Sequence, residues 1–138
     1  MGLDNGLLIK AKTEKGAEFL DSHFNNLKLS YYKIPTYEFA YFRKCWNIRA
    51  KIFDEKLGAN GIDYKLKIND LKKFSKVMEY FLNRENWIYD NNNSIWEWEI
   101  QVANVADAIK RIYIFLDYTE GEEELTDEDF EIIWYDSY

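Results

Sequence analysis

Residues 94–118, SIWEWEIQVANVADAIKRIYIFLDY, decide the fold because they fit two different secondary structures. Their first part alternates apolar side chains with glutamate and glutamine, which is typical of a half-buried strand. A longer pattern competes with it, because apolar residues keep helical spacing over about five turns. Ser94 and Glu97 also have the form of a capping box, in which the two side chains satisfy backbone donors at a helix start. We therefore predict a long helix from about residue 95 to 118, with an apolar stripe of Trp98, Val102, Val105, Ile109, Ile112 and Leu116.

Three further helices are predicted upstream of this stretch. Residues 71–82 carry a clear apolar stripe with lysines on the outer side, and Asn69 or Asp70 can cap that helix. Residues 46–57 place apolar side chains on one helical face, and Gly58 can end the helix in a left-handed conformation. Residues 17–28 have the spacing of a short helix. Between the last two predicted helices, Asp90 to Asn93 are expected to form a loop.

Four segments have the pattern of strands. They are residues 7–11, 37–42, 62–68 and 130–135, and none of them is joined to its neighbour by a proline- or glycine-rich linker. We therefore expect an α+β fold in which a small, mainly antiparallel sheet is packed by three or four helices, with residues 1–138 forming a single domain.

Charge is distributed unevenly along the chain. Residues 1–84 hold sixteen Lys/Arg and ten Asp/Glu, whereas residues 85–138 hold only two Lys/Arg, Lys110 and Arg111, and fifteen Asp/Glu. These balances of +6 and −13 sum to the net charge of −7. Such asymmetry concerns partners rather than fold, and an acidic surface repels nucleic acid and suits a basic partner. The two oppositely charged halves can also satisfy each other within a monomer or between the subunits of a homodimer.

The acidic character culminates in residues 120–131, where eight of twelve side chains are carboxylates. Neither this run nor Asp90–Asn93 has the ligand order of an EF-hand, so no metal site is predicted. One interpretation is a solvated loop. The other is a phosphate-like row of negative charge that occupies the nucleic-acid groove of a protein. The predicted partner-binding residues are Glu120, Glu122, Glu123, Glu124, Asp127, Glu128, Asp129 and Glu131.

The sequence contains no motif that indicates an enzyme. It lacks the nucleophile elbow, the phosphate-binding glycine loop and the dinucleotide fingerprint, and the spacing of Glu97, Glu99 and Asp107 does not single them out as paired carboxylates. We expect His23, the only histidine, to lie on the surface, and Cys45 to be an inert core thiol. We therefore predict no enzymatic activity and no cofactor.

Residues 37–51 are the best candidate for binding single-stranded nucleic acid, because basic and aromatic side chains interleave there. An RNP-type motif, a helix-turn-helix and a zinc finger are all absent from the sequence, and its pI near 4.8 opposes nucleic-acid binding. The lone cysteine and the lack of a signal-peptide pattern or long apolar run indicate a cytoplasmic protein without a membrane segment.

Three stretches, MGLDNG at residues 1–6, YEFAYFRKCWNIR at 37–49 and WYDSY at 134–138, resemble small uncharacterised proteins of phages and prophages of low-GC bacteria. This resemblance implies an accessory protein that binds and inhibits host machinery, in particular an anti-CRISPR or other anti-defence inhibitor. The expected partner is a host protein with a basic nucleic-acid-binding surface. An alternative is a module that binds a nucleotide or a sugar in a Trp/Tyr pocket.

The central stretch also allows a structural interpretation. Arg43, Cys45, Trp46 and Arg49 lie at a predicted junction between a strand and a helix, and we expect them to form a buried arrangement of cation, ring and carboxylate. Such an arrangement fixes the fold and needs no ligand.

Overall fold

A computed structural model describes residues 4–43, 45–52, 63–91, 95–121 and 124–137. These residues form four strands, five α-helices and a short 3-10 turn. In chain order the elements are β1 (Asp4–Ala11), α1 (Glu14–Phe24), the 3-10 turn (Asn25–Leu27), β2 (Thr36–Arg43), α2 (Trp46–Ile52), β3 (Asp63–Leu66), α3 (Asp70–Tyr80), α4 (Arg84–Asn91), α5 (Ile95–Glu120) and β4 (Phe130–Ser137).

The strands form one antiparallel sheet in the order β2-β1-β4-β3, and the helices pack against one face of it. The predicted α+β fold is therefore confirmed. On the covered face, Leu7 of β1 lies opposite Trp134 of β4, and both side chains are fully buried. The register of β1 and β2 shifts between Leu7 and Leu8, where β2 contributes Phe39 as one extra residue. Such a bulge turns two consecutive side chains toward the same side of the sheet, and Phe39 and Ala40 are both buried.

The contested stretch is a helix. Val105, Ile109, Ile112 and Leu116, from its predicted apolar stripe, are buried, and α5 makes its main contacts with α3 and β2. The strand-like alternation covers only the start of the stretch, whereas the helical stripe continues for the whole length and buries far more apolar surface. Ser94 of the predicted capping box lies outside the described residues. None of the described helices is long and apolar enough to cross a membrane.

Helix α4 was not predicted, since the residues before the expected loop at 90–93 carry little apolar periodicity. Asn83 explains where the helix begins, because its side-chain oxygen accepts a hydrogen bond from Glu85 N at 2.8 Å. Trp87 explains why it stays folded, since the indole is fully buried with its ring 5.8 Å from that of Phe81. A single large buried side chain in a short helix leaves no periodic pattern in the sequence. The predicted loop at residues 90–93 was wrong for Asp90 and Asn91, which lie in the last turn of α4, and Asn92 and Asn93 lie outside the described residues.

The start of α3 differs from its prediction in one detail. Asn69 occupies the N-cap position, but its side chain makes no capping hydrogen bond. The Asp70 carboxylate instead accepts a hydrogen bond from Lys67 N at 2.8 Å. The end of the predicted helix over residues 46–57, with Gly58, lies outside the described residues.

Candidate functional site

The predicted acidic segment joins the last turn of α5 to β4. Glu120 ends α5, Glu124 lies in the following loop, Asp127–Asp129 form a turn, and Glu131 is half-buried on β4 opposite Lys10. Glu122 and Glu123 lie outside the described residues. The segment is therefore not one continuous row of equivalent charges.

Asp127 and Asp129 have structural roles in this segment. The Asp129 carboxylate accepts hydrogen bonds from Thr13 Oγ1 at 2.8 Å and from Thr126 N at 2.9 Å. The Asp127 carboxylate accepts one from Ile68 N at 2.7 Å. Thr13 in turn caps α1 by accepting from Gly16 N at 3.0 Å. The two aspartates therefore attach the loop to the start of α1 and to the segment before α3. Neutralising them is expected to weaken folding as well as binding.

Three other carboxylates of the segment are exposed to solvent: Glu120, Glu124 and Glu128. Glu120 forms an exposed ion pair with Lys72 at 2.5 Å, which contributes little stability at a surface. Lys15 lies beside the loop but donates to the backbone carbonyl of Glu124, at 2.9 Å, rather than to its carboxylate. The Glu124 and Glu128 carboxylates are thus left facing solvent.

The end of α5 adds to the negative potential of this region. Asp117 and Glu120 lie near the helix C-terminus, and the last turn contains no basic residue. A helix C-terminus already carries partial negative charge from its unpaired carbonyls, so acidic side chains there oppose the stability of the helix. We call the exposed carboxylates of Asp117, Glu120, Glu124 and Glu128 the acidic end.

Because α1 lies close to the acidic turn, we expect a glycine-to-alanine substitution in this helix to destabilise the protein, although such a change usually stabilises a helix. Gly16→Ala normally favours a helix by about 1 kcal/mol. Here a Cβ atom on Gly16 would lie 2.4 Å from the backbone oxygen of Asp129, which accepts a hydrogen bond from Lys12 N. Because one of the two backbones must move, we expect Gly16→Ala to lower the free energy of unfolding by about 1–3 kcal/mol. Urea denaturation measures this change. The matched control is Gly121→Ala, whose Cβ meets its nearest atom at 3.2 Å, and equal losses in the two variants would contradict the clash.

The predicted junction of cation, ring and carboxylate is present around Arg49. Its guanidinium Nε donates to Asp136 Oδ2 at 2.6 Å, and the indole Nε1 of Trp134 donates to Asp136 Oδ1 at 3.2 Å. Arg49 and Asp136 are 3% and 2% exposed. Cys45 is also buried, whereas Arg43 is exposed. The side chain of Trp46 lies outside the described residues. Arg49 therefore has the structural role that the sequence favoured, but its two partners come from β4 and were not predicted.

Other buried polar atoms lie next to this ion pair. Asn5 neighbours Asp136 across β1 and β4, and within the described part of the chain neither its amide oxygen nor its amide nitrogen has a hydrogen-bond partner. The same holds for Arg49 Nη2. Buried groups of this kind oppose folding, so this corner of the core is stabilised by the packing around it rather than by complete hydrogen bonding.

The arrangement of His23 and Cys45 gives no support for a metal or nucleophilic centre. His23 is exposed, as expected, and its ring stacks on Tyr118 with 3.9 Å between centroids. The Cys45 thiol is buried and donates to the backbone oxygen of Arg43 at 3.6 Å. Across the described ranges, no three His, Cys, Asp or Glu side chains come together as a metal site.

The proposed stacking surface for single-stranded nucleic acid is not assembled. Tyr37 and Phe42 point into the core and are fully buried, and the Tyr37 hydroxyl donates to Asp21 of α1. This hydrogen bond lowers the pKa of the Asp21 carboxyl and contributes, after burial, to the raised pKa of Tyr37. Tyr41 and Arg43 are exposed but lie on the opposite face of β2. Among the described side chains of this segment, the aromatic and basic residues therefore do not form one surface.

The sheet face that turns away from the helices carries a small tyrosine cluster. Tyr41, Gly6 and Tyr135 lie side by side on β2, β1 and β4. The ring of Tyr135 sits over Gly6, where a Cβ would lie 3.0 Å from the ring. Burial raises the pKa of Tyr135, and burial also raises that of the nearby Glu38 carboxyl. These shifts follow from partial desolvation of the sheet face.

A tryptophan-lined ligand pocket is not supported by the described rings. Trp87 and Trp134 are fully buried in the core, and Trp98 is half-buried with its Nε1 donating to the backbone oxygen of Phe81 at 3.2 Å. No tryptophan lines either of two surface cavities on α5, but Tyr113 lines one of them, so the Trp/Tyr pocket stays a prediction.

Similarity to known proteins does not supply a function for these surfaces. No protein-family model matches the chain, and no curated protein and no solved structure matches it either.

Proposed function

We propose that this chain is a non-enzymatic inhibitor that acts in the cytoplasm of a bacterial host, as a phage-type accessory protein of the anti-CRISPR or another anti-defence class. Its partner is a host protein with a basic, nucleic-acid-binding surface. The acidic end binds that surface in place of nucleic acid, through electrostatic complementarity.

The observation that carries this proposal is the exposure of charge on an ordered turn. Glu124 and Glu128 are exposed, while the neighbouring Asp127 and Asp129 are bound to backbone and side-chain donors of the same molecule. A loop that is already ordered loses little conformational entropy when it binds. The backbone positions from which the two glutamate side chains extend are thus set before binding.

The electrostatics of α5 support the same surface. Asp117 and Glu120 lie at a helix end where they oppose the helix dipole, and stability alone favours basic residues there. A locally unfavourable charge pattern is expected where function sets the sequence. The ion pair between Glu120 and Lys72 is more than half exposed on both sides, so a cation of the partner can replace Lys72 at little cost.

The experiment that tests the proposal is a pull-down from bacterial lysate with the tagged chain, eluted by increasing salt. The expected result is one basic, nucleic-acid-binding protein that is released by salt and displaced by added duplex DNA or structured RNA. Recovery of an acidic partner, or of a basic partner that nucleic acid does not displace, would contradict nucleic-acid mimicry.

A pair of matched variants then tests the acidic end itself. Glu124→Gln together with Glu128→Gln is expected to weaken partner binding by about tenfold or more, since a hydrogen bond to a charged group contributes about 1.5–3 kcal/mol. The matched control, Glu85→Gln with Glu99→Gln, removes the same charge from exposed positions on α4 and α5. Isothermal titration of both variants against the purified partner measures the difference. Equal weakening would mean that net charge, rather than the acidic end, determines binding.

A further inference from the structure

A cavity of about 270 Å³ lies between the end of α1 with its 3-10 turn and the middle of α5. Its floor is apolar, because Phe24 and Leu27 are buried. Ile114 forms part of the apolar wall and is partly exposed. The polar lining residues are His23, Asn26, Asp107, Lys110 and Arg111.

Lys110 and Arg111, the two basic residues of the acidic stretch 85–138, both line this cavity. Lys110 and Arg111 are the only Lys/Arg after residue 84, and with Asp107 and Ile114 they occupy one face of α5 at helical spacings of three and four. In the described part of the chain, neither cation lies within 4.0 Å of a carboxylate, in contrast to Arg49, Lys28 and Lys72. Arg111 does act at longer range on Glu38 of β2, where it opposes the rise in the pKa of that carboxyl. The two positive charges are thus available to a ligand.

The remaining lining groups limit what the ligand can be. Asp107 is an acceptor and would repel a plain anion, but it can bind a hydroxyl or amino group. Asn26 can both donate and accept. The His23 ring is held at the rim by its stacking on Tyr118. A ligand that matches these groups carries an anionic end for the two cations, hydrogen-bond donors for Asp107 and a ring for the apolar floor.

We infer that this cavity binds a phosphomonoester of a sugar or nucleoside, with the phosphate on Lys110 and Arg111. The cavity, at about 270 Å³, is slightly smaller than the range of about 300–1,000 Å³ typical of pockets for drug-sized ligands, so it suits a small ligand such as a phosphomonoester. Arginine and lysine are the usual partners of phosphate oxygens, and an arginine can bind two of them at once. This site is separate from the acidic end and does not depend on the proposed inhibitory function.

Calorimetric titration of the full chain with AMP, ribose 5-phosphate and inorganic phosphate tests the inference. Lys110→Ala with Arg111→Ala is expected to weaken binding of the phosphomonoester by about tenfold or more, as expected for the loss of charge-assisted hydrogen bonds. Alanine is the best helix former, so the exposed face of α5 should stay helical, and a melting curve checks this.

A second cavity supplies the matched control. It measures about 260 Å³, lies elsewhere along α5 and is lined by Lys72 and Lys76 among other residues. Lys72→Ala with Lys76→Ala removes the same charge from a cavity of the same size and should leave ligand binding unchanged.

The possible outcomes separate the chemistry of the ligand from simple charge. Binding of AMP but not ribose 5-phosphate would indicate that the base contributes to binding. Binding of both esters would indicate that the sugar phosphate is sufficient. Both results support the inference. Failure of both esters to bind, equal weakening in the two double variants, or inorganic phosphate binding as tightly as the esters would overturn it.

Discussion

Arg49→Ala is expected to lower the free energy of unfolding by about 3–5 kcal/mol, since removal of one partner leaves a buried charge unpaired. Arg49 and Asp136 are both almost completely buried, and the guanidinium lies 2.6 Å from the carboxylate. Among the described residues, no other cation forms an ion pair with Asp136. The indole of Trp134 would remain as a donor to Asp136, at 3.2 Å, but it carries no charge. Urea denaturation followed by circular dichroism measures the loss.

Lys28→Ala provides the control for this prediction. Lys28 pairs with Asp21 at 3.5 Å, but both side chains are more than 40% exposed. Exposed pairs contribute about 0–1 kcal/mol, so this variant should remain close to the wild type. If both variants lost the same small amount, the carboxylate of Asp136 would have to be solvated in the native state, and the buried pair would not exist in solution.

A third variant tests whether the loss of stability comes from the unpaired charge rather than from the absence of the ion pair. In Arg49→Met with Asp136→Leu, the pair is replaced by apolar side chains of similar size. Such replacements are often neutral or stabilising, because the cost of desolvating two charges disappears. The indole Nε1 of Trp134 loses its hydrogen bond to Asp136 in this variant, which costs about 1–3 kcal/mol. We therefore expect the double variant to recover only part of the stability lost in Arg49→Ala, as urea denaturation measures.

This ion pair also shows how far sequence can predict contacts. A junction of cation, ring and carboxylate was expected around Arg49 because it follows a strand and lies among aromatic residues. The identity of the carboxylate was not predictable, because Asp136 is 87 residues away in the chain and no local pattern records that separation. The tertiary fold brings the two together, since Arg49 on α2 lies against Asp136 near the end of β4.

Local patterns were sufficient for most elements of the fold. The four predicted strands and the four predicted helices correspond to elements of the structure. Burial follows the predicted apolar period in α3 and α5, whereas Tyr64 and Leu66 of β3 are only half-buried. Part of the predicted stripe of α2 lies outside the described residues. Helix α4 was not predicted because a single buried tryptophan, Trp87, anchors it, so its sequence shows no repeating apolar pattern. The extra residue at Phe39 was missed because a bulge leaves alternation intact on either side of it.

The acidic segment was predicted as a set of equivalent charges, and packing divides it into two kinds. Asp127 and Asp129 accept hydrogen bonds from Ile68 N, Thr13 and Thr126 N, whereas the Glu124 and Glu128 side chains face solvent. Aspartate, with its short side chain, is typical of such turns because it bonds to nearby backbone donors. The alternation of Asp and Glu in this run was therefore a usable signal. The cavity on α5 had no such signal, since it depends on how α1 packs against α5.

Phe115→Ala is expected to have an effect as large as that of Arg49→Ala. The ring is fully buried on α5 and contacts rings from three other elements, with centroids 5.9 Å away at Phe19 of α1, 5.6 Å at Phe39 of β2 and 5.1 Å at Phe130 of β4. Truncation of a buried phenylalanine costs about 3–5 kcal/mol, part of it from the cavity that remains. Edge-to-face ring pairs add about 0.5–1.5 kcal/mol beyond the buried area.

Phe115→Leu separates these two contributions, because leucine keeps most of the volume and loses every ring pair. We expect it to lose less than Phe115→Ala, by about 1–3 kcal/mol, the part that volume restores. Urea denaturation at low temperature keeps both variants measurable, since small domains have only about 5–15 kcal/mol of stability. If Phe115→Ala and Phe115→Leu lowered the free energy of unfolding by equal amounts, side-chain volume would not matter at this position. That result would contradict close packing of the Phe115 ring between α5 and the sheet. If both lost less than about 1 kcal/mol, Phe115 would be exposed in solution. Helix α5 would then pack against the sheet through a different face.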